Sequence, residues 1–126
     1  FEKKIEKMID IHFDFLCKDG RLPLFVINEI NNNSEIAKTI KDVFNDTISP
    51  FLLSVQKDLD NEIKAGKIRD ISAFNLLLNI VSMDVFIFIA EPIMKNILSY
   101  SKQEMQEVFI DRKQEIKKAI LLSLKK

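Results

Sequence analysis

Between Ala73 and Ile93 the chain reads AFNLLLNIVSMDVFIFIAEPI, apolar on nearly every side of a helix. A helix on the surface of a globular protein needs one apolar stripe. A helix that is apolar all round must be covered on more than one face. In a chain of 126 residues a single core is a poor source of that much cover. A partner subunit, a ligand or a membrane is expected to supply the rest. The membrane is the weakest of the three, because a span needs about 20 apolar residues with few polar interruptions. Here Asn75, Asn79, Ser82, Asp84 and Glu91 interrupt, Pro92 follows, and the longest clean run is Val85–Ala90. An Asp near the bilayer centre costs about 2.5–3.5 kcal/mol on insertion scales.

At about 100° per residue, Asn75, Asn79 and Ser82 share a narrow arc that Phe86 continues. Asp84 lies on the opposite side with Leu77, Ile80, Val81, Phe88 and Glu91. Buried polar groups must find hydrogen bonds. One reading makes one face core and leaves the other partly in water. The other packs one face on a second subunit and turns the other toward a ligand cavity. Asp84 is the residue whose partner distinguishes them.

Few breakers occur elsewhere: glycine only at Gly20 and Gly66, proline only at Pro23, Pro50 and Pro92. Long periodic segments between them predict an all-α fold of about six helices. The first covers roughly 1–18, with Ile5, Met8, Ile9, His12, Phe15 and Leu16 as its stripe. Asp19-Gly20 stops it, with glycine suited to the left-handed position after a helix. Pro23 fits the first turn of a short helix, about Leu22–Asn31. Ser34 or a preceding Asn caps the third. Pro50 predicts a kink or break near 46–50, then a helix from about 50 to 65 ended by Gly66. Asp70 or Ser72 caps the apolar helix, which runs to about Ala90 with one or two further turns to Leu98. Ser101 and Glu104 form a capping box for the last helix, 102–124. Its stripe of Met105, Val108, Phe109, Arg112, Ile116, Ala119 and Ile120 reads as an association face.

Lys plus Arg equals Asp plus Glu, 19 each. This balance argues against a nucleic-acid footprint, which needs an excess of Lys and Arg on one face. One cysteine, Cys17, and one histidine, His12, exclude an internal disulfide and a zinc site of the usual kind. A reducing compartment and the lack of a secretory signal suggest a cytoplasmic chain. No Gly-rich phosphate loop, nucleophile elbow or metal-spaced motif is present, so neither an enzyme nor a cofactor is expected. His12 reads either as a partly buried histidine on the core stripe or as a polar group lining a cavity. Arg112 reads either as a snorkelling side chain at the rim of its face or as an ion-pair partner of Asp84 or Glu91. Phe1–Lys4 already reads as helix with no cap before it, which suggests a fragment lacking an N-terminal part.

The order of the pieces resembles a known family. Leu22-Pro23-Leu24-Phe25-Val26-Ile27-Asn28-Glu29 follows the first helix, Ala65-Gly66-Lys67-Ile68-Arg69-Asp70-Ile71 follows a kinked helix pair, and an apolar helix precedes a charged one. Over residues 5–124 this is similar to the C-terminal domain of TetR-type transcriptional regulators. The resemblance implies a single effector-binding and dimerisation domain over 1–126. Its last two helices would form a dimeric four-helix bundle. Operator DNA would be bound only by a helix-turn-helix domain upstream of Phe1, in a repressor controlled by a small, apolar or amphipathic effector. A helical protein–protein interaction module without a ligand is the alternative. Ligand-binding candidates are His12, Phe15, Phe25, Asn28, Asn79, Met83 and Phe86. Dimer-interface candidates are Leu77, Val81, Asp84, Phe88, Met105, Val108, Phe109, Arg112, Ile116 and Ile120.

Overall fold

A computed structural model describes residues 1–126, all of them helix or short connection, with no strand. The elements are α1 (Glu2–Lys18), α2 (Leu22–Asn32), α3 (Ser34–Val43), a π-helical turn (Phe44–Ile48), α4 (Ser49–Lys64), α5 (Ala73–Asn96) and α6 (Lys102–Ser123). The all-α expectation holds.

Of the kink or break expected near 46–50, the break does not occur: the path from α3 through α4 is continuous, with a π turn at Phe44–Ile48. The Ser49 N–H donates to the Phe44 carbonyl, five residues back, and Pro50 falls in the first turn of α4. A proline in a regular helix lacks one donor and its ring clashes with the preceding turn. Widening that turn by one residue relieves both problems without ending the rod.

The cap choices resolve in favour of the residues with free side-chain acceptors. Asn33 accepts from the Glu35 and Ile36 N–H groups at 3.1 and 3.3 Å and caps α3. Ser72 accepts from Asn75 at 3.1 Å and caps α5. The Ser101–Glu104 box is closed in both directions, at 3.0 and 3.1 Å. Those bonds hold the Glu104 carboxyl below its ordinary pKa.

The two glycines serve different ends. Gly66 has φ 73° and takes the left-handed position after α4, as expected. Gly20 does not. A Cβ there would stand 2.9 Å from the ring of Phe88, so Gly20 permits close approach of the chain to that ring. The one non-glycine residue with positive φ is Ser99, at 59°, in the turn after α5. An L-residue in this region costs about 1–2 kcal/mol, partly offset by glycine's greater entropy when unfolded. Ser99→Gly is therefore expected to raise the unfolding free energy by about 0.5–1 kcal/mol, measured by urea denaturation.

One core cluster joins α1, α4, α5 and α6. Ile5, Ile9, Phe13 and Leu16 supply it from α1, Val55 and Leu59 from α4, and Leu76, Ile80, Ile87 and Phe88 from α5. Spacings of three and four residues put each set on one helix face. The turn before α5 is tied to the end of α6, where Arg69 Nε donates to the Ser123 carbonyl at 2.5 Å. Outside the core, Lys113 pairs with Asp14 at 2.8 Å and Lys117 with Asp10 at 2.5 Å, bracing α6 on α1. By contrast, α2 and α3 bury none of their own residues.

The stripe expected to join two subunits is the inner face of α6. Met105, Ile116 and Ile120 are buried within the chain, and Val108 and Phe109 pack on the same core. On α5, Asp84 and Phe88 are buried there too. As dimer-contact candidates Met105, Ile116, Ile120, Asp84 and Phe88 are corrected, because a side chain enclosed by its own chain has no surface to offer a partner; Val108 and Phe109 are half-buried. Arg112 sits half-buried at the rim. Its two proposed carboxylate partners are taken, Asp84 by His12 and Glu91 by Lys95 at 2.7 Å.

Candidate ligand groove

The helix α5 is long and apolar enough to cross a membrane by length and composition, yet only 33% of its most apolar window is buried in the fold. The rest of its apolar surface lines a groove or remains open.

The groove follows from a second stripe on α1. Met8, Ile11, His12 and Phe15 recur at i, i+3, i+4 and i+7, offset from the buried set Ile5, Ile9, Phe13 and Leu16. One face of α1 therefore enters the core while its neighbour forms a wall. The first half of the groove, about 440 Å³, is closed by that wall, Phe51 of α4 and Leu77, Ile80 and Val81 of α5. The second half, about 530 Å³, lies between α5 and α2. Leu22, Pro23, Val26 and Ile27 face Leu78, Val85, Phe86 and Ile89 there. His12 and Val81 belong to both halves. Each half falls in the size range of small-molecule sites, about 300–1,000 Å³.

Polar groups are sparse along this surface. In the first half His12 is the one polar side chain. In the second it is joined by Ser82, whose hydroxyl donates to the Asn79 carbonyl at 3.1 Å. His12 is held from behind: Nδ1 lies 2.7 Å from Asp84 Oδ2. The Asp84 side chain is fully buried and that of His12 is 32% exposed. The other Asp84 oxygen, Oδ1, is buried with no hydrogen-bond partner. Burial pushes the Asp84 carboxyl above its ordinary pKa; the His12 hydrogen bond and charge oppose that rise, and nearby Asp10 adds to it. Asp84, the residue that separated the two readings of α5, thus faces neither solvent nor a second subunit. It orients a histidine within its own chain.

Of the ligand-binding candidates, the fold brings His12, Phe15 and Phe86 to the groove. Phe25 and Asn28 point away, because α2 turns Leu22, Pro23, Val26 and Ile27 inward, leaving both exposed on the other side. Asn79 is exposed and lines neither half, and Met83 packs beside the core. Leu77 and Val81, read as dimer contacts, line the groove instead. Met8 belongs to the single stripe read on α1, and Ile11 was missed although it stands three residues from Met8 and four from Phe15. Phe51 and the α2 residues carried no such signal, since their position depends on how the helices pack.

A separate hollow of about 480 Å³ lies where α1 and α5 end, among Cys17, Lys18, Arg21, Glu91 and Lys95. Arg21 pairs with Asp19 at 3.6 Å and Lys95 with Glu91, so Lys18 is its one cation outside an ion pair. Burial, helped by Asp14, raises the Cys17 thiol pKa and so disfavours the reactive thiolate. No cluster of His, Cys, Asp and Glu is placed to hold a metal ion. Compared with known proteins, the chain matches no family model, no curated protein and no solved structure.

Proposed function

We propose that this chain is the ligand-sensing and dimerisation domain of a TetR-type transcriptional regulator, responding to a small apolar or amphipathic molecule. The observation that carries the reading is the groove between α1, α2, α4 and α5, apolar along its length with His12 fixed at its middle. Few precisely placed polar groups in an apolar wall are what orient a small ligand. Ligand binding would act by favouring one of two arrangements of the helices, through unequal affinity for them. The lightly packed α2–α3 arm, which buries none of its residues, is the element with least to lose by moving. DNA binding would belong to a helix-turn-helix domain outside these residues.

Homodimerisation is supported by the apolar side chains of α5 outside the groove lining, where Phe74 and Ile93 are 62% and 52% exposed. Large apolar side chains left uncovered on one helix mark a contact surface. The same exposure, with an open rather than enclosed groove, supports the second reading, a helical interaction module that binds protein alone.

The test uses N-phenyl-1-naphthylamine, a neutral dye that brightens in apolar sites. The dye is expected to bind wild type at micromolar concentration, and Val81→Arg to abolish binding while helical circular dichroism is kept. Val81 is 41% exposed and touches both halves of the groove, so the new side chain blocks the site without entering the core. Native mass spectrometry of the same sample is expected to show a dimer. Dye binding unaffected by Val81→Arg would sink the ligand reading, and a strictly monomeric chain would sink the dimer.

A further inference from the structure

We propose that α2 and α3 form a flap, which swings at the π turn and closes over the first half of the groove when an apolar ligand enters. This deepens the ligand-sensing reading and rests on it.

One apolar stripe runs along the rod from α3 through α4: Ile40, Phe44, Ile48, Phe51, Val55 and Leu59. Its steps are of four residues, with one of three. At about 100° per residue a step of four drifts by about 40°, and the one residue that the π turn adds sets the phase back. The six side chains therefore share a face. Along that face the cover ends within one turn. Leu59 and Val55 are 0% and 2% exposed, whereas Phe51, Ile48 and Phe44 are 41%, 39% and 45% exposed. The lower part of the stripe is core, and the upper part runs on past the edge of the core.

The surface beside the uncovered part belongs to the same chain. Phe51 shares the first half of the groove with Ile11 and Phe15 of α1, which are 62% and 54% exposed. Ile48 and Phe44 stand one and two turns beyond Phe51 on its face and line neither half. Two half-uncovered apolar walls thus border one hollow of about 440 Å³. An apolar guest fills that space, and closure then removes guest and walls from water together.

The fold leaves this part free to move. No residue of α2 or α3 is buried, so swinging them strips no core. Pro50 has no N–H to offer the Asp46 carbonyl, and the Ser49 N–H has gone to Phe44. Helices bend where their ladder is interrupted in this way. At its other end α2 is joined to α1 only through residues 19–21.

The test measures the affinity of N-phenyl-1-naphthylamine for Phe44→Ser, Ile48→Ser and Leu53→Ser. All three residues are exposed and none lines the groove, so a rigid groove treats them alike. Leu53, two positions past Phe51, lies on the far side of the helix and is the control. Closure predicts about a fivefold loss of affinity in Phe44→Ser and in Ile48→Ser, from apolar surface covered only in the bound state, and no change in Leu53→Ser. Saturating dye is expected to slow amide exchange in α3 of the wild type. Wild-type affinity in Phe44→Ser and Ile48→Ser, an equal loss in Leu53→Ser, or α3 exchange unaltered by dye would each overturn the flap. A weaker dimer in native mass spectrometry of Phe44→Ser, with dye affinity kept, would overturn it as well and give the stripe to a second copy. Dye binding with any of these results leaves the ligand-sensing reading standing; absence of dye binding by the wild type removes both.

Discussion

Phe88→Ala is expected to lower the unfolding free energy by about 3–5 kcal/mol, the range for deleting a buried aromatic ring. Phe88 is 5% exposed and bridges three elements. Its ring stacks on Phe109 of α6 at 5.0 Å and meets Phe13 of α1 tilted at 5.3 Å. Its edge occupies the space left by Gly20. None of these neighbours can move in to fill the hole without leaving its own contacts, so the cavity term adds to the transfer term. Domains of this size are stable by about 5–15 kcal/mol, so the loss is about a third to a half of the stability at the middle of that range. Urea denaturation at two protein concentrations checks the placement as well as the magnitude. A core residue lowers stability equally at both. An interface residue would show a loss that shrinks as concentration rises, because association is linked to folding by mass action.

The second large effect belongs to the pair under the groove. His12→Ala is expected to cost about 2–3 kcal/mol, because it removes the hydrogen-bond partner of a buried carboxyl. Partial exposure of His12 keeps the figure below that of a fully enclosed pair, since water can reach the vacated site. Asp84→Asn is expected to cost little by itself, and the double variant His12→Ala, Asp84→Asn to recover most of the loss. A double-mutant cycle from urea denaturation at pH 7 measures this coupling. Additive single effects would show that the two side chains do not interact.

The sign of the pH dependence follows from the raised pKa of Asp84. A carboxyl whose folded pKa lies above its unfolded one favours folding in the protonated form. That contribution is complete below the ordinary aspartate range, about 3.9, and is lost as pH rises through the folded value. His12 and Asp10, both on α1, are the charged groups that act on it. Asp84→Asn removes the titration, so the variant should gain on wild type as pH increases across that window. Parallel melting curves at intervals from pH 3 to 8 read the difference.

Much of the helical layout is local in origin and was legible in the chain. Breakers, caps and apolar periodicity place helices within a few residues of where they stand, and the Ser101–Glu104 box is closed as the pattern requires. Local rules left one position open and misread another. Pro50 predicted a kink or a break, and the irregularity is a π turn rather than a break, because one widened turn is less disruptive than ending a rod packed on α5. Gly20 predicted a left-handed cap, but the ring of Phe88, 68 residues away by numbering, is the reason for it.

The candidate site was legible only in part. The apolar excess of α5 established that more than one of its faces needs cover, but on α1 the wall residues Met8, His12 and Phe15 read as one stripe with the core residues Ile5, Ile9 and Leu16. Amphipathic periodicity says which residues share a face and is silent on what covers that face. Met105, Ile116 and Ile120 of α6 therefore read as subunit contacts when they are core, and Asp84 could be paired with Arg112 as readily as with His12. The sequence by itself determined an all-helical chain with too much apolar surface for one core. Only the packing of α1 between α5 and α6 decided the rest, turning Asp84 inward onto His12 and leaving the remaining apolar faces to a groove and an open flank. The physical reason is that helix faces are set by residues three and four apart, whereas the partner of a face is set by contacts between residues far apart in the chain.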